Sequence, residues 1–237
     1  MFSMRTKKDG TPNKVYDTIL KYKTDFISAA AADDISEASR VTIPAAKLEE
    51  NIWIDPKTGN ERSSFQISGN FLNKAKDDEK DGATFSLSGY VFRTEPEKDK
   101  EGEETGRLLV TFGVIGFGGK IHKLTLIAEG AAKAHIEQNW DEEETVKVVG
   151  RINMVQKTEE IREKSGFGED IVKTRTISKR ELIITGGSAG SLEEELSYDK
   201  DSIKAACAER KARIEEMKKA NAASNSSSKS KSADYGF

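Results

Sequence analysis

The sequence predicts a mainly β protein, built on a single Greek-key barrel of the OB type with one helix between its third and fourth strands. Three observations lead there. From about residue 41 to 185 apolar residues recur at every second position in short runs, the period of half-buried antiparallel strands. One helical stretch, "EGAAKAHIEQNW", breaks the series late, with Ala131, Ala134, His135 and Gln138 at helical spacing. Helices are missing between most of the strands, which excludes a doubly wound parallel sheet.

Residues 1–40 read as an arm. "VYDTILKYKTDF" places Val15, Ile19, Tyr22 and Phe26 on one face of a short amphipathic helix. The barrel domain is expected over 41–190. In "SFQISGNFL", Phe65, Ile67, Gly69 and Phe71 alternate with Gln66, Ser68 and Asn70; in "ATFSLSGYVFR", Phe85, Leu87, Gly89 and Val91 alternate with Ser86, Ser88, Tyr90 and Phe92. Phe65, Phe71 and Phe85 are expected in the core, and Tyr90 and Phe92 on the polar, outer face. "RLLVTFGVIGF" and "KIHKLTLIA" follow, joined by a turn at Gly118 and Gly119. After the helix come "ETVKVVGRINM" and "IVKTRTISKRELIITGG", linked by the polar hairpin "VQKTEEIREKSGFGED".

A charged helix is expected over 191–222. Leu196, Ile203, Cys207, Ile214 and Met217 form its apolar stripe, which packs on the domain or on a partner helix. Residues 223–237 read as a flexible tail, too poor in apolar residues to fold. Two aromatics near its tip, Tyr235 and Phe237, with Asp234 beside them, gain nothing for the core and are expected to enter a pocket on another protein.

Composition narrows the function classes. The 237 residues carry a net charge of -3, so a uniformly basic nucleic-acid binder is excluded, though a basic face is not. No run approaches the roughly 20 apolar residues of a membrane span, and the opening residues lack a signal peptide's apolar stretch. Cys207 is the sole cysteine, so no internal disulfide forms and a reducing cytoplasm is expected.

Several motifs resemble catalytic or metal sites and fail. "GGSAG" at 186–190 matches the nucleophile elbow around Ser188, but a hydrolase needs its histidine after the serine, and His122 and His135 both precede it. "GVIGFGGK" has Val114 where a phosphate loop needs glycine and Ile121 where it needs Ser/Thr. The acids from Asp77 place Ser88 where a calcium loop needs glutamate. Two separated histidines and one cysteine make no zinc site. No enzyme and no cofactor are expected.

Charge is unevenly placed. Residues 94–104 hold six acids against two lysines, and 137–144 hold five acids and no base. Residues 147–180 carry nine bases against five acids, so the last two strands and their hairpin form the basic part of the barrel. Single strands are held by base stacking on aromatics combined with a positive groove. Tyr90, Phe92, Phe117 and Phe167 are the stacking candidates, although Tyr90 and Phe92 fit edge packing under the amino-terminal arm as well. Phe112 and Trp53 can go either way. Arg93, Arg107, Lys123, Lys147, Arg151, Lys173 and Arg175 are the candidates for phosphate.

The order of motifs resembles bacterial-type single-stranded DNA-binding proteins. "ISGNFLNKAKDDEKDGATFSLSGYVF" is similar to that family's opening strands, and "EPEKDKEGEETG" to its charged hairpin. "LLVTFG" is similar to its third strand, "LIAEGAAKAHIEQ" to its alanine-rich helix, and "VKVVGRINM" to its glycine-centred fourth strand. The resemblance covers about 62–186 and the tip. It implies that Phe112 contacts DNA, that His122 or Phe112 stands near one place where the family carries a binding-face tryptophan, and that Asp234, Tyr235 and Phe237 recruit replication or recombination enzymes. The expected role is coating single-stranded DNA, in a bacteriophage setting. The rival is an assembly protein whose barrel makes only protein contacts.

Overall fold

The computed structural model describes the backbone of residues 4–69, 71–164, 167 and 171–230, and all their side chains except those of 117, 156–160, 162–163, 171, 173, 175–177 and 224–230. In chain order the main elements are α1 (Lys14–Asp25), β1 (Val41–Thr42), β2 (Ala46–Ile54), β3 (Glu61–Gly69), β4 (Asn73–Lys74), β5 (Thr84–Lys98), β6 (Glu104–Ile115), β7 (Ile121–Ala128), α2 (Gly130–Asn139), β8 (Thr145–Glu163), β9 (Ile171–Gly187) and α3 (Lys200–Ser230). They fall into two compact units, Met1–Lys47 with Ile67–Asp81, and Leu48–Gln66 with Gly82–Phe237.

In the first unit the Asn13 side chain caps α1 by accepting the Val15 N–H at 3.1 Å, satisfying one of the orphan donors of the first turn. The helical face expected from the sequence forms here. Tyr22 meets Phe26 edge-on at 5.5 Å, and its hydroxyl accepts the Leu72 N–H at 2.9 Å. No residue of α1 is buried.

The second unit is a closed barrel of strand order β5-β6-β7-β9-β8. Among the described barrel pairings β7 and β9 run parallel and the others antiparallel. The 15-residue β5 serves both sides, pairing with β8 over Thr84–Tyr90 and with β6 from Tyr90 to Lys98. A register shift between Val91 and Arg93 bends it from one partner to the other. α2 lies between the third and fourth barrel strands, and its Ile136 joins Phe85, Val91, Val110, Phe112, Leu126, Val148 and Leu182 in the core. This is the predicted OB-type architecture.

Two glycines are set by close approach. A Cβ on Gly89 would run into the Phe112 ring, and one on Gly150 into the Ile183 carbonyl oxygen and the Phe85 ring. At both places the barrel wall is drawn inward until only hydrogen fits.

Three expectations need correction. The alternating run at 64–72 is not a barrel strand: β3 pairs with β2 in a separate two-stranded sheet. Phe65 packs on the core from outside, while Ile67 and Phe71 are exposed. β5 already supplies the long first strand, so no sheet edge remains for β3 to join. The carboxy-terminal helix begins at Lys200, leaving Leu196 exposed before it, and continues through Ser230 beyond its expected end. Asp234, Tyr235 and Phe237 lie outside the described residues.

Candidate nucleic-acid interface

Alternation along β5 sorts its side chains as the sequence predicts. Phe85 and Val91 point into the barrel, and Ser86, Ser88, Tyr90 and Phe92 point out. Pointing outward does not make Tyr90 exposed: it is 6% exposed, because α3 lies across that end of the strand. Tyr90, Phe92, Ile115 and Ile121 of the barrel pack with Tyr198, Ile203, Ala206 and Cys207 in a second apolar cluster. Burying Ile203 and Ile214 fastens α3 by roughly 1.5–3 kcal/mol each. Tyr90 and Phe92 are packing residues, but the expected cover is corrected: α3 lies over them, not the amino-terminal arm. Tyr90 meets the Phe92 ring edge-on at 5.1 Å, and the Lys123 ammonium lies over one face of that ring, 4.2 Å from its centre.

An ion-pair network seats α3 further along. Glu50 on β2 is buried and pairs with Arg210 at 2.6 Å, and its other oxygen accepts the Lys123 N–H at 2.9 Å. Glu61 adds a second contact to Arg210 at 3.0 Å. The Glu50 N–H donates to His122 Nδ1 at 3.2 Å, so His122 faces β2. Lys200, at the start of α3, pairs with exposed Glu143 at 2.9 Å.

Two further candidates are withdrawn from solvent, one in the core and one under ion pairs. Phe112 is fully buried, so the exposure that DNA contact requires is corrected: its ring fills the core. Arg107 is half-buried and paired with Glu181 at 2.9 Å and Glu97 at 3.4 Å. Burial alone would raise the Glu181 carboxyl. Hydrogen bonds from Lys179, Arg107 and Asn153, with the charge of Arg107, overcome it and hold the group at about 2. A depressed folded-state value stabilises above the ordinary value of 4.5 and is lost as pH falls toward 2. Acid unfolding should therefore steepen between these values, and a Glu181→Gln variant should show a flatter pH dependence of melting in that window.

What remains outward is a strip on β5 and β8. Cross-strand pairs Thr84–Arg151, Ser86–Val149 and Ser88–Lys147 are all exposed. Small side chains on β5 leave a backbone-width path, and Lys147 and Arg151 line it. Four residues apart, they stand about 13 Å from each other at 3.3 Å per residue, so each would meet a different phosphate. Arg151 has Glu129 at 3.6 Å, and Arg93, exposed elsewhere on β5, has Glu95 at 2.8 Å. Beyond Asn153 and Glu181, β8 and β9 run on as a two-stranded ribbon out to the Glu163–Ile171 pair. Lys173 and Arg175 occupy alternate positions on it, and Phe167 beyond its end is 93% exposed. Phe117 opens the short turn before β7.

Ser188 has a structural task that the sequence does not reveal. Its hydroxyl accepts the Lys147 N–H at 3.1 Å and its carbonyl accepts from Trp140 Nε1 at 3.2 Å, tying the end of β9 to β8 and α2. Among the described residues no group of three His, Cys, Asp or Glu side chains is placed to hold a metal ion, and no helix is long and apolar enough to cross a membrane.

These features define an OB-type barrel protein with a basic ribbon and a helix closing one outer face. The chain belongs to the YorF family, whose model matches residues 1–220. No curated protein matches it. Among solved structures it is similar to the SSB domain of a protein from Synechococcus sp., at 13% identity and a TM-score of 0.27, over 46% of this chain and 97% of that one.

Proposed function

We propose that this protein binds single-stranded DNA without catalysing a reaction on it. One observation carries the reading: an OB-type barrel whose exposed β5–β8 strip holds Lys147 and Arg151 and continues into a ribbon rich in bases. Lys147, Arg151, Lys173 and Arg175 neutralise phosphates, and Phe167 and Phe117 offer rings to bases. Stacking accepts every base, so sequence preference is slight. The acids of the β5–β6 hairpin repel the strand and confine it to the basic side. Coating exposed strands in the cytoplasm during replication or recombination, in a bacteriophage-infected cell, is the role that fits. Asp234, Tyr235 and Phe237 then serve as the hook for polymerase, helicase or recombinase.

Titrating labelled oligo(dT), oligo(U) and duplex DNA by fluorescence anisotropy tests it. Single strands should bind more tightly than duplex. Equal binding, or none at low salt, overturns the reading and favours an assembly role.

A further inference from the structure

The exposed strip does not end at Ser88. It runs into a cleft of about 490 Å³ between the barrel and α3, lined by Tyr90, Phe92, Glu143, Lys200, Ile203, Lys204 and Cys207. Tyr198 marks the entrance, its hydroxyl donating to the Ser88 carbonyl at 3.3 Å. The cleft has an apolar floor, from Phe92, Ile203 and Cys207, and two ammonium groups from α3 beside it. Lys200 is paired with Glu143 at 2.9 Å and Lys204 with Asp201 at 3.3 Å. These exposed pairs are weak enough for a phosphate to displace, so an apolar floor beside two lysines suits a nucleobase and its phosphate. A second observation sets the place apart. Among the described residues Glu143 alone, other than glycines, has a positive φ, at 68°. Such a conformation is costly and persists where the surroundings demand it. Here its N–H donates to the Val91 carbonyl at 2.8 Å, and its carboxylate holds Lys200 at the rim.

We infer that this cleft is a nucleotide subsite, in which α3 forms one wall of the single-strand path. A base enters against Phe92 and the edge of Tyr90, and its phosphate meets Lys204 and Lys200. The inference rests on the single-strand reading and deepens it: α3 is part of the binding surface and no accessory. The buried Arg210–Glu50 pair keeps the wall in place, so the subsite is preformed.

Cys207, the sole cysteine and half-buried in the cleft, is a built-in reporter. The full chain is alkylated with N-ethylmaleimide with and without saturating oligo(dT), with binding followed in parallel by anisotropy. Bound oligo(dT) should slow alkylation at least fivefold. In Lys200→Glu/Lys204→Glu, checked for an unchanged melting curve, oligo(dT) affinity should fall at least tenfold and protection at matched occupancy should weaken. Oligo(dT) binding with an unchanged alkylation rate overturns the subsite and leaves the single-strand reading standing. Faster alkylation also overturns it, since α3 then lifts off when DNA binds. Absence of oligo(dT) binding in the anisotropy arm overturns the reading and the subsite together.

Discussion

Replacing Arg210 with alanine should destabilise the barrel unit by about 3–5 kcal/mol, the cost of leaving a buried charge without its partner. Glu50 is that charge: its side chain is 2% exposed, and Arg210 supplies its ion pair. The remaining donor, the Lys123 N–H, satisfies one oxygen without neutralising the carboxylate. Glu50→Gln in the Arg210→Ala background should recover part of the loss, because a neutral amide is cheaper to bury than an unpaired carboxylate. Lys200→Ala, which breaks the solvent-exposed pair with Glu143, should leave the urea midpoint almost unchanged. Urea denaturation of the four proteins checks the series. Equal losses for Arg210→Ala and Lys200→Ala would show that the buried pair does not anchor α3.

Gly150→Val should cost about 3 kcal/mol or more, at or beyond the upper end of ordinary overpacking. Two obstacles meet the new side chain, and one of them cannot rotate away: the Ile183 carbonyl belongs to the neighbouring strand, while the Phe85 ring belongs to the core. Relief would require β8 and β9 to part where the barrel closes. The melting temperature should drop by about 10 °C, against about 3 °C for Gly102→Ala in the β5–β6 turn, where nothing lies within 4 Å of the added Cβ and only the backbone resists it. The left-handed φ of 91° at Gly102 adds a local strain of about 1 kcal/mol. A Gly150→Val protein that melts with the wild type would show that the barrel wall is looser there than its geometry implies.

The barrel was legible because its signals are local. Alternation along "ATFSLSGYVFR" assigned inward and outward faces correctly, and the helix fell between the right strands. β3 misled because its pattern is that of a real strand, and pattern cannot say which sheet a strand joins. The fate of Tyr90 and Phe92 was hidden by distance along the chain. Their cover, Ile203 and Ala206, lies more than a hundred residues later, and the ion pair that seats the helix joins residues 160 apart. The apolar stripe on α3 announced that the helix packs, without naming its seat. Arg107 illustrates a different limit. It is basic and close to a proposed path, yet Glu181, 74 residues away, claims it. Strand register brings the two together, and composition has no access to that.

The salt dependence of oligo(dT) affinity tests the central claim most directly. Each phosphate neutralised on a single strand contributes about -0.7 to the slope of log K against log salt. Wild-type protein should show a clearly negative slope, and Lys147→Ala/Arg151→Ala should flatten it by about 1.4, one contribution for each side chain removed. An unchanged slope in that variant, with affinity intact, would contradict a single-strand path along β5 and β8.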